Sequence, residues 1–343
     1  METQTSNSII EKLRAHLLTA LELEQATIPP YLCALYSIRE GTNLEAANVI
    51  RSVVMEEMLH MTLAANVLNA LGDHAPVAPS DFTKPYPKCL PHSDDAFKVS
   101  LLPFCPEALE TFLLIEKPAP PDAKGQGDHY STIGQFYEAV EQMLCDACNE
   151  LGEKKVFTGD RARQAVPGRW YYGGGGGLIE VHDLDTAIAA LREITEQGEG
   201  VDHTIEDSDR LEFDDVGELA HYFRFKELLK GQRYTPIDTP DSGPSGDEII
   251  IDWQSIAPMR ANPLVHEYRD FPSIQRQMNK FNAIYARLLE SLCAAFNGSP
   301  EALGGAAPTM YELRYQAEAL MRVPSPLEPG KTVGPSFELP ASA

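Results

Sequence analysis

The sequence lacks long apolar runs and is poor in basic residues. None of its 343 residues belongs to a run of 18 consecutive apolar side chains, and the N-terminus has no basic segment followed by an apolar block. We therefore expect no membrane span and no secretory leader, which favours a cytoplasmic protein. The chain has only 28 Lys and Arg but 51 Asp and Glu, so the formal net charge is −23. Such a surface repels phosphate groups, which argues against nucleic acid or a membrane as partner.

Cysteine is also scarce. Six cysteines in a chain of this length are too few for a disulfide scaffold, so reduced thiols are expected. Cys145 and Cys148 form a CxxC motif, but the motif lies within an amphipathic helical pattern and has no second CxxC to complete a zinc site. The cysteines therefore indicate neither a redox pair nor a structural zinc ion.

Apolar residues recur at helical spacing over most of the chain, which predicts an all-α fold. The expected helices are 8–37, with a bend or restart at Pro29 and Pro30, and then 44–71, 131–151, 184–198, 216–230, 273–296 and 309–321. The short connection at 40–43 predicts an antiparallel hairpin of the first two helices. This pattern is typical of a four-helix bundle followed by extra C-terminal helices.

Two long segments rich in proline or glycine interrupt the helices. Residues 76–129 are expected to contain little helix and one short strand at 97–101, and residues 152–182 include five consecutive glycines at 173–177, expected to form a flexible loop. Both insertions should cover one end of the bundle as pocket and lid. We expect residues 1–235 to form the bundle, 236–325 to form a helical extension packed on it, and 326–343 to form a tail that wraps the surface or is disordered.

Two of the nine histidines have a glutamate three positions before them, in the pairs Glu57 with His60 and Glu218 with His221. Each pair falls on the apolar face of a predicted helix, where a charged carboxylate is costly unless a cation balances it. A Glu-x-x-His motif on two helices and a lone glutamate on each of two others is the ligand set of di-iron carboxylate bundles. The sequence therefore predicts a site for two metal ions.

Three glutamates are candidates for the lone carboxylates. Glu24 continues the apolar face of the first helix, whereas Glu141 and Glu199 lie at the margins of later helices and spacing does not decide between them. Three tyrosines, Tyr31, Tyr137 and Tyr222, are expected near the metal site as hydrogen-bond donors or redox-active groups, with simple core packing as the alternative.

Two resemblances follow from these motifs. The spacing Glu24-x6-Tyr31-x25-Glu57-x2-His60 is similar to the signature of rubrerythrin-type and related ferritin-like proteins. The chain also resembles the ferritin-like iminophenyl-pyruvate dimer synthase domain of enzymes that make bisindoles in violacein and rebeccamycin biosynthesis. The stretches that carry this second resemblance are LELEQATIPPYLCALYSI, EEMLHMTLAANVLNALG, TIGQFYEAVE, EQGEG, ELAHYFRFKEL and VGPSFE.

The resemblance implies a non-haem enzyme with two iron ions, or manganese in their place, that uses O2 to oxidise a small amino-acid-derived substrate in secondary metabolism. The QGEG element of that family favours Glu199 over Glu141 as the further ligand. The alternatives are a ferritin-like iron-binding or ferroxidase protein, or a structural module, with no organic substrate. A symmetric homodimer is the default expectation for the assembly.

Overall fold

The computed structural model describes residues 2–77, 84–93, 98–166, 175–210 and 217–339, which are predominantly helical. The helices are α1 (Glu2–Ser37), α2 (Leu44–Ala70), α3 (Pro106–Ile115), α4 (Ile133–Leu151), α5 (Glu153–Val156), α6 (Leu184–Glu199), α7 (His221–Lys230), α8 (Pro272–Phe296) and α9 (Leu303–Leu320). The short strands are β1 (Lys88–Cys89), β2 (Lys98–Val99), β3 (Glu206–Arg210) and β4 (Gly217–Leu219). The expected all-α class is confirmed.

Four long helices form the bundle in which the core lies. Helix α1 contacts α2 and α4, and α6 contacts the same two helices, so the four elements close into a ring. Side chains from all four are buried in one continuous apolar cluster. Helix α1 continues through Pro29 and Pro30, so the chain does not restart there, and the alternative of a bend stays a prediction. The hairpin of α1 and α2 is as predicted.

Local sequence fixes where the later bundle helices begin. The Thr132 side chain accepts a hydrogen bond from the backbone N–H of Gln135 at the start of α4. Helix α6 begins with a capping box in which Asp183 and Thr186 each bond the other's backbone N–H. Such caps satisfy amide groups that the first turn of a helix leaves unpaired. They mark the residues at which α4 and α6 begin.

Two shorter helices, α3 and α7, close one side of the bundle. They contact each other, and α3 also contacts α1 while α7 contacts α2 and α6. Helix α3 lies in the insertion that was expected to contain little helix, so that expectation is incomplete. The strand expected at 97–101 is present only as β2, paired antiparallel with β1, and Phe97 lies outside the described residues. Gly173 and Gly174 of the glycine run also lie outside them.

The helix expected at 216–230 begins later, at His221. The preceding residues form β4, which pairs antiparallel with β3, and Ala220 is extended with φ −61° and ψ 155°. Since strand and helix meet at Ala220, Glu218 and His221 do not share a helix face.

The C-terminal helices pack on each other, and they contact the bundle through α1 and α2. The chain after α9 is exposed at residues 326–330 but not along its whole length. Residues 333–337 are buried, and the Phe337 ring packs edge-on against Phe281 and Tyr285 at centroid distances of 4.9 and 5.1 Å. Within the described part of the chain, each helix is too short or too polar to cross a membrane.

Candidate metal centre

Five buried side chains meet between α1, α2, α3 and α7. Their ligand atoms form two overlapping groups in which all atoms lie within 4.8 Å of one another. We call Glu24, Glu57 and His60 the Glu24 position, and Glu57, Glu116 and His221 the Glu116 position. Glu57 belongs to both positions, so the two groups form one centre, called here the inner cluster.

The imidazoles present the same ring atom to the carboxylates. Nδ1 of His60 lies 3.5 Å from Glu24 Oε2 and 3.6 Å from Glu57 Oε1. Nδ1 of His221 lies 3.1 Å from Glu57 Oε1 and 3.5 Å from Glu116 Oε2. The two rings stack with centroids 5.4 Å apart. Both Nδ1 atoms therefore face the space between the carboxylates.

Each carboxylate of the inner cluster accepts one hydroxyl hydrogen bond. Tyr137 donates to Glu24, Tyr31 donates to Glu116, and Thr27 donates to Glu57. Burial, and then the neighbouring glutamates, raise the pKa of both tyrosines well above the ordinary value of 10. The phenols therefore keep their protons and act as donors that fix the orientation of the carboxylates.

Each histidine also makes a hydrogen bond through its other ring nitrogen, Nε2. His60 Nε2 lies 2.7 Å from the Gln197 Oε1 atom, and His221 Nε2 lies 2.7 Å from Glu56 Oε2. Arg224, itself buried, bonds Glu56 at 2.8 Å. Burial opposes the charge of Glu56, but Arg224 and His221 outweigh it and lower its pKa to about 2. An outer acceptor of this kind is the usual means by which proteins orient a metal-binding histidine.

Three carboxylates in one buried space repel each other strongly. Burial, followed by the charges of Glu116 and Glu24, raises the pKa of Glu57 to about 7. Burial lowers the pKa of His221, but the neighbouring carboxylates of Glu116, Glu56 and Glu57 outweigh it and raise that pKa well above 6.5. Without metal ions, the inner cluster is therefore expected to hold protons that metal binding would displace.

The donor set fits a pair of divalent cations. Carboxylate oxygens with one imidazole per position suit Fe(II) or Mn(II). His221 Nδ1 supplies an independent indication: it is buried and, among the described residues, has no hydrogen-bond partner, although it points at the carboxylates. A buried ring nitrogen without a hydrogen bond costs free energy, which a bound cation would recover.

A cavity of about 20 Å³ adjoins the inner cluster, which is room for one water-sized molecule. Its walls include Glu24, Glu57 and Glu116, together with Glu199. Glu199 accepts hydrogen bonds of 2.8 Å from the backbone N–H groups of Ala119 and Gly134. Burial raises its pKa to about 7, although those two hydrogen bonds act to lower it. Glu199 therefore lines the cavity without belonging to either position of the inner cluster.

Three other residues expected at the site lie away from the inner cluster. Glu141 forms a 3.6 Å ion pair with Arg192. Glu218 lies in β4, pairs with Arg224 at 3.4 Å and keeps 26% of its side chain exposed. Tyr222 packs on Phe223 in a separate small apolar cluster. The structure thus brings together Glu24, Glu57, His60 and His221 of the expected ligands, with Tyr31 and Tyr137.

Glu116 is the carboxylate that the sequence reasoning missed. It caps the C-terminus of α3 and continues the buried face formed by Leu109 and Phe112, seven and four positions earlier. That periodicity was a usable signal, but it covers only ten residues within a proline-rich segment. Glu56 and Gln197, the outer acceptors, carried no comparable signal because their role depends on which segments pack together.

The fold and the site define a helical bundle with a candidate two-metal carboxylate centre. The chain belongs to the ferritin-like family, whose model matches residues 17–230. The structure also resembles the crystal structure of a ferritin-like protein from Caulobacter vibrioides, with a TM-score of 0.59 and 20% identity over 90% of this chain and 94% of that one. This likeness supports the fold alone.

Two curated relatives are similar in sequence. Dichlorochromopyrrolate synthase from Lentzea aerocolonigenes is 29% identical over 88% of this chain and 30% of the relative. The 2-imino-3-(indol-3-yl)propanoate dimerase from Chromobacterium violaceum is 28% identical over 55% of this chain and 21% of the relative. The chain thus spans under a third of the length of either relative.

Proposed function

We propose that this chain is a non-haem di-metal oxidoreductase, with iron as the favoured metal and manganese as the alternative, that uses O2 to oxidise a small amino-acid-derived substrate. The observation that carries the proposal is the sharing of Glu57 by two buried carboxylate–histidine groups. Glu24, Glu57 and His60 would hold one ion, and Glu57, Glu116 and His221 the other. When bound, the two ions would supply the electrons that activate O2.

The protein's own residues would orient the ligands and exclude water. Tyr137 and Tyr31 would hold Glu24 and Glu116 in place through their hydroxyl groups. Gln197 and Glu56 would do the same for the two histidines. Such preorganisation keeps the reactive groups in position, so that no free energy is needed to rearrange them during the reaction.

Glu199 is proposed as a proton-holding group at the cavity rather than as a ligand in the described conformation. It shares the cavity wall with the inner cluster, and its pKa of about 7 allows it to accept or release a proton near neutral pH. Its two backbone hydrogen bonds fix the carboxylate at the start of α4. Glu141 and Tyr222 have no part in this proposal.

The substrate class is proposed from the relatives. One is named for a 2-imino acid that carries an indole, and the other for the synthesis of a dichlorochromopyrrolate. The match covers under a third of each, so the reaction of the whole relative does not transfer with the fold. An amino acid or the 2-imino acid derived from it is the class to test first.

The experiment is anaerobic loading of the protein with Fe(II), followed by exposure to O2 with and without a panel of aromatic amino acids and their 2-imino acids. We expect at least one compound to accelerate O2 consumption and to give an organic product detectable by mass spectrometry. Glu57→Gln should abolish both signals. O2 consumption that depends only on added Fe(II), with no organic product, would instead identify a ferroxidase. A protein that neither retains metal nor consumes O2 would instead be a structural module.

A further inference from the structure

The two histidines of the inner cluster differ in what holds them. The hydrogen bonds from the two Nε2 atoms have the same length, 2.7 Å. The acceptor behind His60 is the neutral amide of Gln197, whereas the acceptor behind His221 is the carboxylate of Glu56. The acceptor for the histidine Nε2 atom is therefore neutral at the Glu24 position and negatively charged at the Glu116 position.

The charge of Glu56 is maintained by a buried network. Arg224 donates to Glu56 at 2.8 Å and to Asp207 at 2.8 Å through different nitrogens. It also donates to the Ser52 hydroxyl. Because Glu56, Asp207 and the nearby Glu218 balance the guanidinium, the positive charge of Arg224 does not act unopposed on a cation at the inner cluster.

Gln197 is oriented by a different and weaker contact. Its amide nitrogen donates to Glu193 at 3.3 Å, which turns its carbonyl oxygen toward His60. The amide offers a hydrogen bond but no full charge. A histidine that donates to a carboxylate is a more basic ligand than one that donates to an amide, because the ion-paired hydrogen bond is the stronger of the two.

The carboxylates of the two positions are otherwise alike. Glu24 and Glu116 each accept one tyrosine hydroxyl, and Glu57 is common to both. We propose that the Glu116 position binds its metal ion first and more tightly than the Glu24 position. The inference rests on the proposed two-metal centre, and adds to it an order of loading set by Glu56 and Gln197.

The test is an anaerobic calorimetric titration of the metal-free protein with Fe(II), repeated with Co(II) as a spectroscopic probe. The wild type should bind two ions in separate steps. Glu56→Gln, which keeps an acceptor for His221 but removes its charge, should weaken the tighter step about tenfold or more. Gln197→Leu, a matched change behind His60, should weaken the second step and leave the first unchanged. Helix content measured by circular dichroism checks that each variant is folded.

Two ions bound with equal affinity, or Gln197→Leu weakening the tighter step, would overturn the proposed order. Should Glu56→Gln fail to fold, two ligand variants decide the question. His60→Ala is expected to keep the tighter binding step, and His221→Ala is expected to lose it. Loss of the tighter step in both variants, or its loss in His60→Ala alone, contradicts the proposal. Stepwise binding without oxidation of any organic substrate would refute the proposed function and leave the loading order intact.

Discussion

Glu57 Oε1 lies 3.1 Å from Nδ1 of His221, a residue of another helix, and 3.6 Å from Nδ1 of His60, its partner within the Glu-x-x-His motif. Glu57 is therefore the residue through which the two halves of the inner cluster meet. Its Oε2 atom accepts a hydrogen bond from Thr27, and its Oε1 atom lies near both histidines. One carboxylate therefore belongs to both groups.

Replacement of Glu116 distinguishes the observed ligand set from the one expected from sequence. Glu116→Gln should reduce retained metal from two ions to about one per chain, because one position loses a carboxylate while the other keeps its three ligands. Glu218→Gln is the matched control and should retain two ions, since Glu218 lies with Arg224 outside the cluster. Metal analysis after desalting measures both. Loss of metal in the Glu218 variant alone would contradict this assignment.

The glycine segment before α6 is expected to support the Glu24 position. A Cβ atom at Gly176 would lie 2.1 Å from the amide nitrogen of Gln197, and the residue has φ +91°. Gly176→Ala should therefore cost roughly 1–3 kcal/mol of unfolding free energy through crowding, beyond the backbone strain, and should weaken metal binding at the Glu24 position.

Gly41→Ala is the matched control for the backbone. Gly41 has a similar φ of +81° but no atom within 4 Å of a built Cβ. Chemical denaturation should show a loss of about 1 kcal/mol from strain alone, with unchanged metal binding. Equal effects of the two substitutions would show that the contact with Gln197 is unimportant.

The metal-free protein should become less stable as pH rises from 4.5 to about 7. Glu57 keeps its proton up to a pKa of about 7 when folded but releases it near 4.5 when unfolded, so the folded state binds more protons in this window and stability falls with pH. The raised pKa of His221 acts in the same direction above 6.5. Urea denaturation across this range measures the slope.

Glu57→Gln should reduce the slope between 4.5 and 7, because the amide does not titrate, and the slope that remains comes from Glu199, whose pKa burial also raises to about 7. Saturating Mn(II) should remove or reverse it, since metal replaces the protons and binds better as pH rises. A metal-free wild type whose stability increases through the window would be inconsistent with the buried, proton-holding cluster.

Removing either tyrosine hydroxyl should destabilise the protein. Tyr137→Phe and Tyr31→Phe each leave a buried carboxylate without its donor, at a cost of roughly 1–3 kcal/mol. Tyr311→Phe, at a side chain that is 75% exposed, is the control and should change little. Urea denaturation of the metal-free proteins compares them. Losses no larger than the control would mean that these hydroxyls do not support the cluster.

The parts of the site on long, periodic helices could be predicted from sequence. Glu24, Glu57 and His60 lie on the buried faces of α1 and α2, where a repeat sustained over many residues defines the face. The sequence correctly predicts that His221 lies in the core, but the i, i+3 relation on which that prediction depends is absent. The i, i+3 relation to Glu218 assumed a helix, whereas pairing of β4 with β3 takes Glu218 out of it.

Other features depend on contacts between segments that are distant in sequence. Glu116 approaches the cluster only because α3 packs against α1 and α7, and Gln197 meets His60 only because α6 packs against α2. The tail illustrates the same limit. Its proline-rich composition predicts a segment that wraps the surface or is disordered, yet Phe337 is buried against α8. Composition reports the average tendency of a segment, whereas burial here follows from contacts with Phe281 and Tyr285.

One buried centre, joined by Glu57, is proposed to hold two metal ions. The most direct measurement is the iron content of wild type and Glu57→Gln after anaerobic loading and desalting. We expect two ions per chain in the wild type and fewer than one in the variant, with helix content unchanged. A wild type that retains no metal, or a variant that retains as much as the wild type, would contradict it.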